Sequence, residues 1–431
     1  MATILEKKKP SPLFRWAVLL FISMAMFGNY YVYDSISPLA DLLKSQLGFS
    51  DSNLGLLNAI YSFPNIIMVL IGGIIIDRIG AKRASLLFSS LCLIGSAITT
   101  FSGGDLALMA SGRLVFGLGA ESLIVTITTV IAKWFKGKEL SFAFGLNLTV
   151  ARLGSFAALN SPSWAKALYV SWREPLLIST TMAMTSLISV VIYVLMDTRA
   201  RRLFSLPEEQ KQEKIIWSEI FSFKTSFWYI TMLCVTFYAG IFPFQTFAVK
   251  FFIEHHGLTR EAASFASSVI ILASMIGTPL FGIYIDRKGK RASLMILGSL
   301  MIVPVYLVMA YAPIDPRWMT AIMGVAFSLV PAAMWPSVAL IVEEKKLGTA
   351  YGLMTMIQNI GLTTFNILIG WANDISTVEG VTDYSLGMWF FSITGFVGLT
   401  FAYLLRRQET GMQKSGLEMG HKELHEFRSD I

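Results

Sequence analysis

About twelve apolar runs of roughly 18–25 residues constrain this chain more than any other feature. They lie near 14–34, 53–76, 84–101, 106–132, 140–160, 174–196, 226–252, 261–285, 292–312, 318–342, 348–370 and 386–405. Each is long enough to cross a hydrocarbon slab of ~30 Å as a helix. A soluble domain of 431 residues would not need 54% hydrophobic residues or a mean hydropathy of +0.61. The expected fold class is therefore an all-α, multi-pass membrane protein.

Charge gives the orientation. With a cytoplasmic N-terminus, 27 of the 35 Lys and Arg residues fall on the inside. Six fall on the outside: Lys44, Lys166, Arg173, Lys250, Arg260 and Arg317. Arg113 and Arg152 lie inside helices. The bias follows the positive-inside rule and puts both termini in the cytoplasm. It also accounts for the net charge of +7 without a nucleic-acid partner. Cys92 and Cys234 both fall within spans, which argues against a disulfide framework or a metal site. The first apolar run is full length and reads as a retained span rather than a signal peptide.

The expected organisation is a tail (1–15), six spans (16–196), a polar linker (197–225), six more spans (226–405) and a second tail (406–431). The linker carries Glu208, Glu209, Lys211 and Lys214, then an amphipathic stretch from Ile215 to Phe223. The second tail reads as polar and mobile, with His421 and His425 solvated.

Two charges sit deep in adjacent helices. Glu121 is twelve residues before Lys133, and Arg152 is twelve after Leu140. At 1.5 Å per residue both lie ~18 Å from the basic turn between their helices. They therefore share a depth near mid-membrane. A charge there costs at least ~2.5–3.5 kcal/mol on insertion scales and commonly marks a pathway. The plainer alternative is an ion pair that pins two helices together.

Other spans carry polar stripes. Ser23, Phe27, Tyr30 and Asp34 share one face of the first, with Tyr33 beside them. The tyrosines suit either an interfacial belt or, with Asp34, a polar vestibule. Arg113, toward the outer end of the fourth span, is expected to snorkel. In the seventh, Thr231, Tyr238, Phe242 and Gln245 share a face, and Gly240 with Pro243 predicts a broken helix. The tenth has Pro331, Trp335 and Pro336. The eleventh has Gly352, Thr355, Asn359, Thr363, Asn366 and Gly370 at helical spacing, which packing alone would also explain. An offset of 207 residues maps Gly145 onto Gly352 and Arg152 onto Asn359.

One motif recurs. Gly73-Ile74-Ile75-Ile76-Asp77-Arg78-Ile79-Gly80-Ala81-Lys82-Arg83 follows the second span. Gly282-Ile283-Tyr284-Ile285-Asp286-Arg287-Lys288-Gly289-Lys290-Arg291 follows the eighth, 209 residues later. The same offset maps Gly48 onto Gly257 and Ser50 onto Thr259. The chain thus reads as two parallel repeats of about six spans. An Asp at such a helix end can take backbone donors or an Arg from the next helix, so Asp77, Arg78, Asp286 and Arg287 are candidate gate residues.

This motif pair resembles the cytoplasmic signature of the major facilitator superfamily, as does Arg113-Leu114-Val115-Phe116-Gly117 in the fourth span. Further stretches resemble one subfamily, the lysosomal dipeptide transporters of animals. They are Tyr33-Asp34, Glu121-Ser122, Trp134-Phe135-Lys136-Gly137-Lys138-Glu139-Leu140, Ala151-Arg152, Phe242-Pro243-Phe244, Trp335-Pro336, Gly348-Thr349-Ala350-Tyr351-Gly352 and Gln358-Asn359. The resemblance implies twelve helices in two six-helix bundles and a carrier of dipeptides without obligatory ion coupling. It implies that Glu121 and Arg152 engage the substrate's amino and carboxyl ends. The candidate substrate site is completed by Tyr30, Tyr33, Tyr238, Gln245, Trp335, Gln358 and Asn359. Asp34 and Arg113 form a candidate proton or secondary charge site. No cofactor is implied; the partners are a small zwitterion and the lipid bilayer.

Three other functions compete with a dipeptide carrier. A carrier of organic anions would use Arg152 and Arg113 with Glu121 as proton site. A non-transporting sensor or scaffold would not need signature motifs in both halves. An enzyme would need a nucleophile with a base, or metal-ligand spacing, and neither pattern occurs. The N-terminus shows no acidic dileucine signal, and the sequon Asn147-Leu148-Thr149 lies within a span. Both favour a microbial inner membrane over a lysosome. The topology is checked by a cysteine placed at Lys211, which should label from the cytoplasmic side only.

Overall fold

The computed structural model describes residues 11–135, 139–203, 223–343, 346–411 and 415–420. Most of the expected linker, the 136–138 turn and the tail with His421 and His425 lie outside those residues. Twelve long helices occur among the described residues. They are α1 (Pro12–Asp34), α2 (51–79), α3 (81–100), α4 (Leu106–Phe135), α5 (Leu140–Leu159) and α6 (Arg173–Leu203). Then come α7 (Thr225–Glu254), α8 (Arg260–Lys288), α9 (Arg291–Tyr311), α10 (Pro316–Ile341), α11 (Leu347–Ile375) and α12 (Ser385–Thr410). A hairpin with Thr377 opposite Thr382 joins α11 to α12.

Eleven stretches are long and apolar enough to cross a membrane, among the described residues. The twelfth expected run lies in α2. It is nonetheless helical.

The 209-residue repeat is visible in the backbone. Gly48 and Gly257 both adopt positive φ, at 71° and 64°. Gly80 and Gly289 do so too, at 78° and 67°. The Ser50 hydroxyl accepts the Asn53 amide, as the Thr259 hydroxyl accepts that of Ala262. Each caps the helix that follows it. Both signature turns therefore need glycine where L side chains are strained.

The described chain divides into two compact units. The first holds Ile67–Ala158, the described residues up to Ile36 and those from Leu168 to the end of α6. Inside it α1 packs along α6. Small residues let helices touch: a Cβ on Gly95 would lie 2.3 Å from the Phe116 nitrogen, and one on Gly154 would lie 2.2 Å from the Phe27 carbonyl. Near one end, Asp197 of α6 is fully buried and meets Lys133 at 3.0 Å, Arg201 at 2.9 Å and Lys82 at 3.7 Å.

The second unit holds Ser37–Ile66, Leu159–Ala167 and the described residues from 223 onward. Here α8 packs on α10, α9 on α12, and α7 on α11 and α12. Three expectations need correction. The seventh span is not broken: α7 is one helix through Pro243. The Tyr306 hydroxyl donates to the Gly240 carbonyl at 2.9 Å, so a neighbouring helix serves the backbone around the proline. The chain after Arg406 is not simply a mobile tail. α12 continues to Thr410, and residues 415–420 are docked on the 289–293 turn, with Leu417 fully buried. Arg113 does not snorkel either, as its surroundings below show.

Asp197→Ala would leave Lys133, whose side chain is 2% exposed, without its carboxylate. The expected cost is ~3–5 kcal/mol. It should appear as a clear fall in melting temperature of the detergent-purified protein.

Candidate functional site

In the first unit, three helices bring their charges together. α1 contributes Tyr30, Tyr33 and Asp34 at its C-terminal end, α4 contributes Arg113 and Glu121, and α5 contributes Arg152 and Ser155. The close Gly154–Phe27 approach holds α5 against α1. The Asn29 side-chain amide donates to the Ala120 carbonyl at 3.3 Å, which fixes α1 against α4 one residue before Glu121. Ser23 donates to Asn147 at 3.1 Å, tying α1 to α5 lower down.

The charges of Glu121, Arg152 and Asp34 all act on the Tyr30 hydroxyl. Those of Asp34, Arg113 and Glu121 act on Tyr33. Asp34 is hydrogen-bonded by Ser155 and feels Arg113. Six of the sequence candidates thus form one cluster with two acids and two bases, formally neutral as a set. Arg113 is 2% exposed. Its guanidinium donates to the carbonyls of Val32 and Tyr33 at 3.3 and 3.4 Å and lies over the rings of Phe116 and Tyr33. The end of α1 supplies those carbonyls, so the charge is satisfied inside and has no need to reach the surface.

The second unit groups its candidates differently. The Trp335 indole donates to the Tyr238 hydroxyl at 3.0 Å, and the Tyr351 hydroxyl donates to the Trp335 carbonyl at 3.1 Å. Tyr238 stacks on Phe242 at 5.6 Å, and Phe327 closes on both edge-on. Gln358 accepts from the Cys234 thiol. Asn359 donates back to the Thr355 carbonyl of its own helix. Gln245 is 3% exposed, and neither atom of its amide group has a protein partner among the described residues.

The family model described as Major Facilitator Superfamily matches residues 20–365 and 248–430. The lysosomal dipeptide transporter MFSD1 of Danio rerio is 34% identical over 377 residues, covering 84% of this chain and 81% of the relative. That of Homo sapiens is 33% identical over 368 residues, covering 83% and 79%. Among solved structures, the nucleoside transporter NupG superposes with a TM-score of 0.69 at 16% identity, covering 91% of this chain and 99% of its own.

The chain belongs to the major facilitator superfamily. It is an integral multi-pass membrane transporter of all-α architecture, and not an enzyme. Both named relatives are lysosomal, so they lend no support to the expected microbial inner membrane.

Asp77, Arg78, Asp286 and Arg287 all lie at the surface of their units. Arg291, the first residue of α9, approaches Asp286 only to 4.0 Å.

A different ionic group is buried, and sequence reasoning passed over it. In the second unit Lys250, fully buried on α7, meets Asp51 at the start of α2 at 2.6 Å. It also donates to the Tyr384 hydroxyl at 3.0 Å, and that hydroxyl donates to Glu254 at 2.6 Å. Asp374 of α11 accepts the Asp51 and Ser52 amides at 2.7 and 2.8 Å, capping α2. Close glycine contacts pin the crossing of α2 and α11: Gly55 on the Asn366 carbonyl, and Gly370 on that of Asp51. The signal was present as a lysine inside the aromatic run Phe242–Phe252. Counting Lys250 as an outer-loop charge hid it.

Lys250→Met alone should leave Asp51 buried without its cation, cost ~3–5 kcal/mol of stability and lower the melting temperature strongly. Adding Asp51→Leu should recover most of the loss. Equal melting of both variants and the parent would show that the pair carries no stability.

Proposed function

We propose that this transporter carries dipeptides, or small zwitterions of the same shape, by alternating access. The observation that carries the reading is the Tyr30–Glu121–Arg152 cluster, where opposite charges on α4 and α5 act on one tyrosine of α1. A zwitterionic dipeptide offers the complementary set: an amine for Glu121 and a carboxylate for Arg152. The planar fork of Arg suits a carboxylate, and Lys does not reproduce it. The similarity to curated dipeptide transporters over about four fifths of each chain supports the same substrate class.

Other candidates take secondary roles. Tyr30 and Tyr33 line the charges with rings and hydroxyls. Tyr238 and Trp335 offer aromatic surface, and Gln358 and Asn359 offer amides. Gln245 can serve the peptide bond, because a primary amide matches its N–H and C=O together. Asp34 and Arg113 form the secondary charge site, where a proton would be held if coupling exists. Asp77, Arg78, Asp286 and Arg287 act at the gates, where their side chains reach the surface of their units. The basic-rich side, with both termini, faces the cytoplasm.

Substrate chemistry tests the clamp. Arg152→Lys should lose most transport while keeping its charge. A dipeptide with an amidated carboxyl end should bind much more weakly and lose its dependence on Arg152. One with an acetylated amine should lose its dependence on Glu121. If both blocked forms competed as well as the free dipeptide, the clamp would be refuted. Simple carboxylates that outcompeted dipeptides would instead select the organic-anion function.

A further inference from the structure

The segment just after α12 is built into the second signature turn. The carboxylate of Glu409, near the end of α12, accepts the backbone amides of Ser415, Gly416 and Leu417 at 2.6–3.1 Å. This folds the chain back under its own helix. Leu417 then enters the apolar core formed by α7, α8, α9, α10, α11 and α12. The Lys290 and Arg291 amides donate to the carbonyls of Glu418 and Leu417 at 3.2 and 2.9 Å. The Glu418 carboxylate accepts from the Ser293 amide at 2.8 Å and its hydroxyl at 2.7 Å, serving as the cap of α9.

The turn beneath is strained. Lys290 adopts φ 55°, an uncommon conformation for a residue with a Cβ. Gly289 adopts φ 67° with ψ −121°, open in practice to glycine alone. A Cβ there would lie 2.2 Å from the Met419 carbonyl. Such backbone persists where its surroundings over-determine it. Here the surroundings that bond to it are residues 415–420.

We propose that residues 415–420 are a strap that locks the Lys288–Ser293 turn in this conformation, and that each transport cycle must loosen it, so the C-terminal segment brakes turnover. The inference rests on the gate reading of that turn. A contact made in one conformation and not the other shifts the equilibrium toward the one that has it. Releasing the strap therefore speeds the cycle, and fixing it stops the cycle.

The experiment uses the full chain in lipid vesicles. Leu417→Asp and Glu418→Gln release the strap; Ser293→Cys with Glu418→Cys allows it to be fixed by a reversible bis-methanethiosulfonate cross-linker. Melting temperatures verify that each variant is folded. One readout is dipeptide uptake. The other needs no substrate: the rate at which a cysteine replacing Ser37, 5% exposed in this conformation, reacts with a membrane-impermeant maleimide from outside. The released variants should raise uptake rate and labelling rate severalfold at unchanged substrate affinity. Cross-linking should suppress both, and reduction should restore them. Rates that are equal across the released, cross-linked and parent forms, or that fall on release, overturn the brake. A parent protein that carries no dipeptide overturns the substrate reading alone, and the labelling rates still decide the strap.

Discussion

Neutralisation of buried charge is the constraint on which this structure depends. Lys133 lies against Asp197, Lys250 against Asp51, and Arg113 against two backbone carbonyls with Asp34 nearby. In each case the partner comes from a different helix. Removing one partner would leave the other charge buried at a cost of several kcal/mol, so each contact constrains how its two helices can sit. Glycine supplies the second condition. Close glycine contacts set other helix pairs: α5 rests on α1 at Gly154, and α2 on α11 at Gly55 and Gly370.

The fold was legible because its signals are periodic and redundant. Apolar length, basic-residue bias and the paired motif all point to the same helices, and the repeat reappears as matching positive-φ glycines. The candidate cluster of α1, α4 and α5 was legible for a related reason. Glu121 and Arg152 stand at equal distance from a common turn, and helical rise converts equal counts into equal depth.

What escaped the sequence depended on partners that no local pattern encodes. Pro243 and Gly240 signal a break, yet the helix continues with a hydroxyl from Tyr306, sixty-six residues on, donating into that turn. Arg113 looked like a snorkelling charge because its acceptors are main-chain carbonyls, which leave no trace in residue identity. Lys250 was read by position in a loop count. Its burial follows from Asp51, and the two meet only after two hundred residues of chain have folded. Glu418 looked like one more polar tail residue, and nothing near it in sequence shows that it caps α9.

The two signature turns show how far a repeat constrains function. Gly80 and Gly289 share positive φ, so the backbone problem was solved once and kept in both halves. The side chains around them were not kept. In the first half, Lys82 follows the turn and reaches Asp197 of α6. In the second, Lys290 and Arg291 offer backbone amides to the chain beyond α12. Equal motifs therefore do not imply equal surroundings. The glycine makes the turn possible, and what docks on it decides how freely the turn can move. In the second unit a buried leucine and a capping carboxylate do the docking.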